Sequence, residues 1–324
     1  MSQESKGRVC AFAVTFNRRD LLRNCLHSLQ NGTKAPDEIF IINNASSDGT
    51  REMLESEFPH LPALHLPQNE GASRGYFEGF KYGFENGFDF VWVVDDEGWA
   101  EPDCLQKLLE QARPDTVVMP LKKDSNGHSY GFHAWRRRQV DVVQEVIARS
   151  ASEGGGPVTG ADFLFDFTST LVPRELIAKA GLPNKGFFIW FDDFEYSFRI
   201  KARGGRIVNV PGTVFYHDFG QNRRQVRFLG RTSFRSDQPA WKTYYGARNP
   251  LYTLMRRRRR ADEIALFLAV QLRLMLMDIA YESDRWTRVA LRFKGFGDAL
   301  NGRLGKRIVP PGAISSSKPQ ETAP

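Results

Sequence analysis

Three consecutive acids, Asp95, Asp96 and Glu97, close the apolar run 90–94. Adjacent carboxylates repel one another, so the triplet asks for a cation or a set of donors to offset it. The apolar run is too short for a helix and reads as a buried strand. A strand ending in carboxylates puts hard oxygen ligands at the carboxyl edge of a sheet, where open α/β sheets bind ligands. Taken alone, the triplet is as well explained as a solvated acidic turn. A second acidic group, Asp192, Asp193 and Glu195, follows the aromatic run 187–191, which reads as a strand. Acids at a helix start are favoured by the helix dipole, so capping by itself accounts for Asp192 and Asp193.

The elements that would position these groups follow from hydrophobic periodicity. Residues 9–16, 38–42, 64–66, 90–94 and 116–119 read as strands. Helical spacing lies between them, at 21–29 with Asp20 as N-cap, 51–58, 76–86 and 102–112, the last with Pro102 in its first turn. This alternation predicts an α/β fold, a Rossmann-like and mostly parallel sheet with helices on both faces. Polar loops at 15–18, 43–48, 69–75 and 95–97 follow the strands, and one crevice could collect all four. The pattern breaks over 122–160, where Arg136–Arg138 and Gly154–Gly156 suggest a long mobile connection or a plain surface excursion. A short helix at 173–180, a helix from 192 and strands at 206–210 and 214–218 follow.

Composition bounds the class. The chain has 324 residues, 41% hydrophobic and 26% charged, which suits a globular protein with a real core. Cys10, Cys25 and Cys104 are widely spaced and form neither a metal pattern nor a disulfide framework, so a reducing compartment fits. The polar residues 1–8 do not resemble a signal peptide, and no apolar run reaches the ~18 uninterrupted residues of a membrane span. The net charge of +7 is uneven: residues 223–260 hold 12 Lys/Arg against one acid, Asp237. The arginines at 256–260 run into a long apolar helix at 264–279, whose polar positions Glu263, Gln271, Asp278 and Glu282 share one side. The segment 309–324, rich in Pro and Ser, reads as a disordered tail. Three regions result: an α/β domain at 1–222 that carries both acidic groups, a basic, aromatic and helical C-terminal region at 223–308, and the tail.

Five motifs line up in order: Val14–Arg18, Asn43–Thr50, Asn69–Gly75, Val94–Glu97 and Trp190–Tyr196. Together they resemble the glycosyltransferases of family 2, which have the GT-A fold, over about residues 8 to 220. The Trp-x-Asp-Asp-x-Glu-Tyr pattern followed by His217 looks most like bacterial galactofuranosyltransferases, and Tyr244–Asn249 also resembles the rhamnosyltransferase branch. Two positions depart from the family: Asn43 stands where Asp is usual, and the triplet ends in Glu97 rather than Asp.

The resemblance implies an inverting sugar transferase that uses a nucleoside-diphosphate sugar. Asp95, Glu97 and His217 would hold Mn²⁺ or Mg²⁺ across the diphosphate. Asp193 would be the general base, with Asp192 beside it. Thr15, Asn17, Arg18, Asn43, Asp48 and Asp96 would hold the nucleotide, with Arg74 near the diphosphate. Trp190 and Glu195 would meet the acceptor, and Trp99 could stack on a sugar face. UDP-galactofuranose is the favoured donor, with dTDP-rhamnose as the alternative. The acceptor would be a glycan or polyprenyl-linked glycan of bacterial surface polysaccharide synthesis. The protein would be cytoplasmic, peripheral on the anionic inner face of the plasma membrane, with a homo-oligomer left open. A nucleotidyltransferase of similar fold would need a glycine- and basic-rich loop after the first strand, and 17–20 has no glycine. Nucleic-acid binding explains the basic band but neither acidic motif, and no nucleic acid partner is expected. A scaffold with a decayed site conflicts with retention of Asp95, Glu97, Asp193 and His217.

Overall fold

The computed structural model describes residues 7–309, apart from 131–132, 135–138, 153, 219–222, 229 and 258–260. The expected tail at 310–324, the arginines 136–138 and three of the five arginines at 256–260 lie outside the described residues. The chain divides into two units, Met1–Asn222 and Arg223–Pro324.

The first unit begins β1 (Val9–Thr15), α1 (Arg19–Gln30), β2 (Glu38–Asn43), α2 (Thr50–Glu57), β3 (Ala63–His65), α3 (Ala72–Glu85) and β4 (Phe90–Asp95). It continues with β5 (Gly98–Ala100), α4 (Cys104–Gln111), β6 (Thr116–Lys123), β7 (Ser129–Tyr130), β8 (His133–Ala134), α5 (Gln139–Ser152), β9 (Val158–Thr159) and β10 (Phe163–Leu164). It ends with β11 (Ser169–Pro173), α6 (Arg174–Ala180), α7 (Asp192–Ala202) and β12 (Arg206–His217). The main sheet has the order β3-β2-β1-β4-β11-β6-β12-β5. β1, β2, β3 and β4 pair in parallel, as do β6 and β12, while β11 runs antiparallel between β4 and β6 and β5 runs antiparallel to β12. One face is covered by α1, α2 and α4 through Leu22, Leu26, Met53, Leu105 and Leu108. The other is covered by α3, α5, α6 and α7 through Phe80, Val142, Val146, Leu176 and Tyr196. Apolar residues of alternating strand positions feed both layers, so the sheet is buried on both sides.

Several expectations are corrected. Asp20 lies in the first turn of α1, and the cap position is Arg18. Pro102 precedes α4, which starts at Cys104. α3 begins at Ala72, four residues earlier than its periodicity suggests, because its glycines read as loop. They are packing residues: a Cβ at Gly75 would strike Val14 and one at Gly79 the Phe12 ring, so the helix lies directly on β1. The irregular stretch after Lys122 contains α5, whose Val142, Val143 and Val146 are buried in the core; it is neither a lid nor a surface excursion there. The two expected strands at 206–218 are one strand, β12, with a register shift between Val210 and Val214. The run 187–191 is not a strand: a 3₁₀ turn, Lys185–Phe187, leads into irregular backbone.

The second unit holds the hairpin β13 (Arg223–Phe228) and β14 (Arg231–Ser236), then α8 (Trp241–Arg256), α9 (Ala261–Tyr281) and α10 (Arg285–Leu300). Its interior is unusually ionic. Arg235 reaches Asp278 at 2.5 Å and Glu282 at 2.8 Å, and Arg292 reaches Asp278 at 2.5 Å. Arg248, fully buried, stacks on Tyr244 and Tyr245 and donates to the Gly305 carbonyl at 2.8 Å.

Candidate active site

β4 delivers Asp95 at its last position, and the antiparallel pairing of β5 with β12 sets His217 opposite Gly98. His217 Nε2 therefore lies 3.2 Å from both Asp95 Oδ2 and Glu97 Oε1. One ligand atom from each of the three side chains falls within 4.8 Å of the others. Two carboxylates and an imidazole at this spacing fit a divalent cation such as Mn²⁺. Arg18 also reaches the cluster, at 2.9 Å from Asp96, 3.2 Å from Glu97 and 3.8 Å from Asp95. Sequence reasoning placed Arg18 among nucleotide contacts and missed this pairing, which spans 78 residues of chain.

The charges follow from that geometry. Burial opposes a charge on His217, yet hydrogen bonds to Asp95 and Glu97 outweigh it and raise its pKa to about 9. Burial also works against Asp95, but His217 and Arg18 hold it below the ordinary carboxylate range. Asp96 is 1% exposed, and burial with Asp95 as neighbour pushes it up to about 7. Protonated His217 thus offsets the acids. Asp95, Glu97 and His217 would hold a divalent ion only with the imidazole neutral, so its binding would release that proton.

The loops after β1, β2 and β3 interlock. Asn17 Oδ1 accepts from Ser47 N at 2.7 Å, Asn43 Oδ1 from Ser46 N at 2.9 Å, and Asp48 Oδ2 from Arg19 N at 2.9 Å. Asn44 Nδ2 donates to Asn69 Oδ1 at 3.2 Å. Asn17, Asn43 and Asp48 therefore tie these loops together through backbone donors, and Thr15, at the end of β1, is buried. Arg74 pairs with Glu78 at 2.6 Å along α3.

α7 opens on Asp192, which is buried, and Asp193, which keeps partial solvent access. Burial raises both pKa values, and Asp192 and Asp166 add to the shift of Asp193. Glu195 forms a two-pronged pair with Arg199, at 3.0 and 2.8 Å, and Arg199 also binds the Ala180 and Leu182 carbonyls. Sequence reasoning missed three neighbours. Tyr76 lies within electrostatic reach of Asp95 and Asp96 on one side and Asp192 and Asp193 on the other; burial, then those acids, lifts its pKa well above the usual value. Lys122 and Asp166 form a buried ion pair whose charges both reach Asp193.

Backbone strain marks the same region. Among the described residues, the non-glycine positions with positive φ are Asn17, Ala45, Phe188, Trp190 and Phe191, all in these loops. Left-handed backbone costs a side-chain-bearing residue roughly 1–3 kcal/mol and persists where the surroundings impose it. The 188–191 segment is held by α3: Ser73 N donates to the Phe188 carbonyl at 3.2 Å, and a Cβ at Gly71 (φ +82) would collide with that carbonyl. Nearby on β5, Trp99 is 36% exposed and stacks on Tyr216, centroids 5.3 Å apart and planes at 11°.

A family model described as glycosyl transferase family 2 matches residues 10–158. The chain is a glycosyltransferase. A galactofuranosyltransferase of Mycolicibacterium smegmatis is 23% identical over 263 residues, covering 76% of this chain and 82% of that protein. An undecaprenyl-phosphate mannosyltransferase of Micrococcus luteus is 25% identical over 226 residues, covering 69% of this chain and 90% of that protein. Among solved structures, a mannosyltransferase from Pyrobaculum calidifontis in complex with GDP-Man and Mn²⁺ superposes with a TM-score of 0.53 at 15% identity, covering 91% of this chain and 75% of that one. That likeness shows the fold, which is GT-A. The glycosyltransferase's acidic triplet and interlocked loops both fall within the matched stretch, while α7 and His217 lie beyond it.

Proposed function

We propose that this glycosyltransferase is metal-dependent and inverting, and that it moves a hexose, galactofuranose in the favoured reading, from UDP-galactofuranose to a glycan or polyprenyl-linked glycan acceptor in bacterial surface polysaccharide synthesis. The observation that carries the reading is the convergence of Asp95, Glu97 and His217, from the end of β4 and the end of β12, on one 4.8 Å cluster. A cation bound there supplies positive charge to the leaving diphosphate. Asp193 takes the acceptor hydroxyl proton as the new C–O bond forms at the anomeric carbon and the bond to the diphosphate oxygen breaks. One displacement with one base inverts that carbon. Asn17, Asn43, Asp48 and Thr15 set the walls of the nucleotide crevice, and Arg18 and Asp96 fix the acidic loop beneath it.

The galactofuranosyltransferase relative favours UDP-galactofuranose, and the mannosyl relatives make GDP-mannose the reading to test against it. The panel is UDP-galactofuranose, dTDP-rhamnose and GDP-mannose with the full chain and Mn²⁺, scored by release of free nucleotide. Release of UDP from UDP-galactofuranose above the other two supports the reading, and preferential release of GDP replaces it. A polyprenyl-linked acceptor would place the enzyme peripherally at the inner face of the plasma membrane.

The Trp99–Tyr216 stack offers an aromatic face to an acceptor sugar. Its Tyr216 neighbour is braced by Glu101, which accepts from the phenol at 3.3 Å and from Val214 N at 2.9 Å. Trp99→Ala should raise the acceptor KM about tenfold, the worth of one stacking contact, with donor hydrolysis unchanged. Steady-state kinetics with each substrate varied checks this, and a shift in donor KM instead would assign Trp99 to the donor side.

A further inference from the structure

α9 is built inside out. Its polar stripe faces inward: Glu263, Gln271 and Asp278 are buried, and Gln271 and Asp278 are both held by Arg292. Its leucines face outward, with Leu268 45%, Leu272 52% and Leu276 44% exposed. A helix in a water-soluble core does the opposite. By length and composition the 21-residue α9 could cross a membrane, yet only 22% of its most apolar 18-residue stretch is buried. α10 repeats the inversion. Arg288 and Arg292 are buried, while Trp286, Phe293 and Leu300, one heptad apart and so on one face, are 68%, 59% and 62% exposed. Apolar surface of this extent marks a binding face.

We infer that the leucine face of α9, with the aromatic face of α10, docks this unit onto an anionic lipid surface, α9 lying in the membrane plane. Charge selects the occupant. Residues 223–324 carry 21 Lys/Arg against 8 Asp/Glu, and arginines 256–260 directly precede α9. A second copy would bring two strongly basic units face to face, whereas anionic headgroups complement them. The polar stripe excludes a span. It runs from Glu263 in the first turn to Asp278 in the last, tied by Arg257 at one end and by Arg235 and Arg292 at the other. Crossing the bilayer would carry those pairs into hydrocarbon. Lying flat, α9 buries its leucines at the headgroup boundary and keeps every pair.

This deepens the reading of a lipid-linked acceptor and rests on it for the biological setting; the test uses no sugar, so failure of one is distinguishable from failure of the other. The full chain is sedimented with vesicles of phosphatidylcholine alone, or mixed with phosphatidylglycerol. The wild type should bind the mixed vesicles, less so at high salt. Leu268→Glu/Leu272→Glu/Leu276→Glu should lower binding by about tenfold or more, with circular dichroism unchanged because the sites are exposed. Should the triple variant misfold, Leu272→Glu and Trp286→Asp, each alone, report the same loss. Wild-type protein that ignores mixed vesicles at low salt overturns the inference. So does a wild-type dimer that the variants convert to monomer without any vesicle binding, which would give this face to a second copy.

Discussion

Asp95→Ala and Glu97→Ala should each lower sugar transfer by roughly 10³-fold or more, the scale of losing charge stabilisation at a leaving group. Folding should survive both. The acids end a strand instead of packing in the apolar layers, and each is held by His217 and Arg18. Removing either carboxylate takes an ion-pair partner from buried His217 and from Arg18, so the melting temperature should fall modestly without loss of the fold. Excess chelator should silence the wild type to the same degree, and added Mn²⁺ should restore it but not the variants. Metal binding should strengthen as pH rises toward the His217 value of about 9, because the imidazole must first lose its proton. Calorimetric titration with Mn²⁺ at several pH values reads this apart from activity. Full transfer in chelator would remove the cation from the proposal.

Asp193→Asn should leave donor affinity nearly unchanged and reduce turnover by roughly 10²-fold or more. The amide keeps the shape but cannot take a proton. In the wild type the base must be ionised, and burial raises its pKa well above the ordinary value. Activity should therefore rise with pH through a limb set higher than a solvent-exposed carboxylate gives. The linkage to stability has the opposite sense. A carboxyl with a raised folded pKa favours the folded state only while protonated. Stability falls as pH climbs from the unfolded value of about 4 through the raised one. Asn carries no such loss, so the variant should be at least as stable as wild type at neutral pH. Wild-type turnover in Asp193→Asn, with loss in Asp192→Asn, would move the role one residue; thermal melts at acid and neutral pH check the second part.

The legible parts of the molecule were those written locally. The apolar run before Asp95 identified β4, and its acids marked the sheet edge where Asp95, Glu97 and His217 come together, because strand burial and acid placement both sit within eight residues. The α/β alternation fixed the fold class for the same reason. Asp192 and Asp193 were legible as a helix start. Local rules failed where tertiary packing overrode them. α3 was cut short because glycine reads as loop, although Gly75 and Gly79 are there to admit Val14 and Phe12. The 188–191 segment looked like a strand because its residues are apolar and aromatic, but neighbouring elements hold it in left-handed backbone.

By itself, then, the sequence determined the strand-end acids, the helix-start acids and the order of the elements between them. Only the tertiary structure decided what those acids meet. Arg18 and His217 join the triplet because β1 and β12 lie on either side of it in a sheet order unlike the chain order. It also decided the polarity of α9. Periodicity found its polar side and its apolar side, but which side faces inward depends on partners far along the chain. Arg235 and Arg292 bury the polar side as ion pairs and leave the leucines outside.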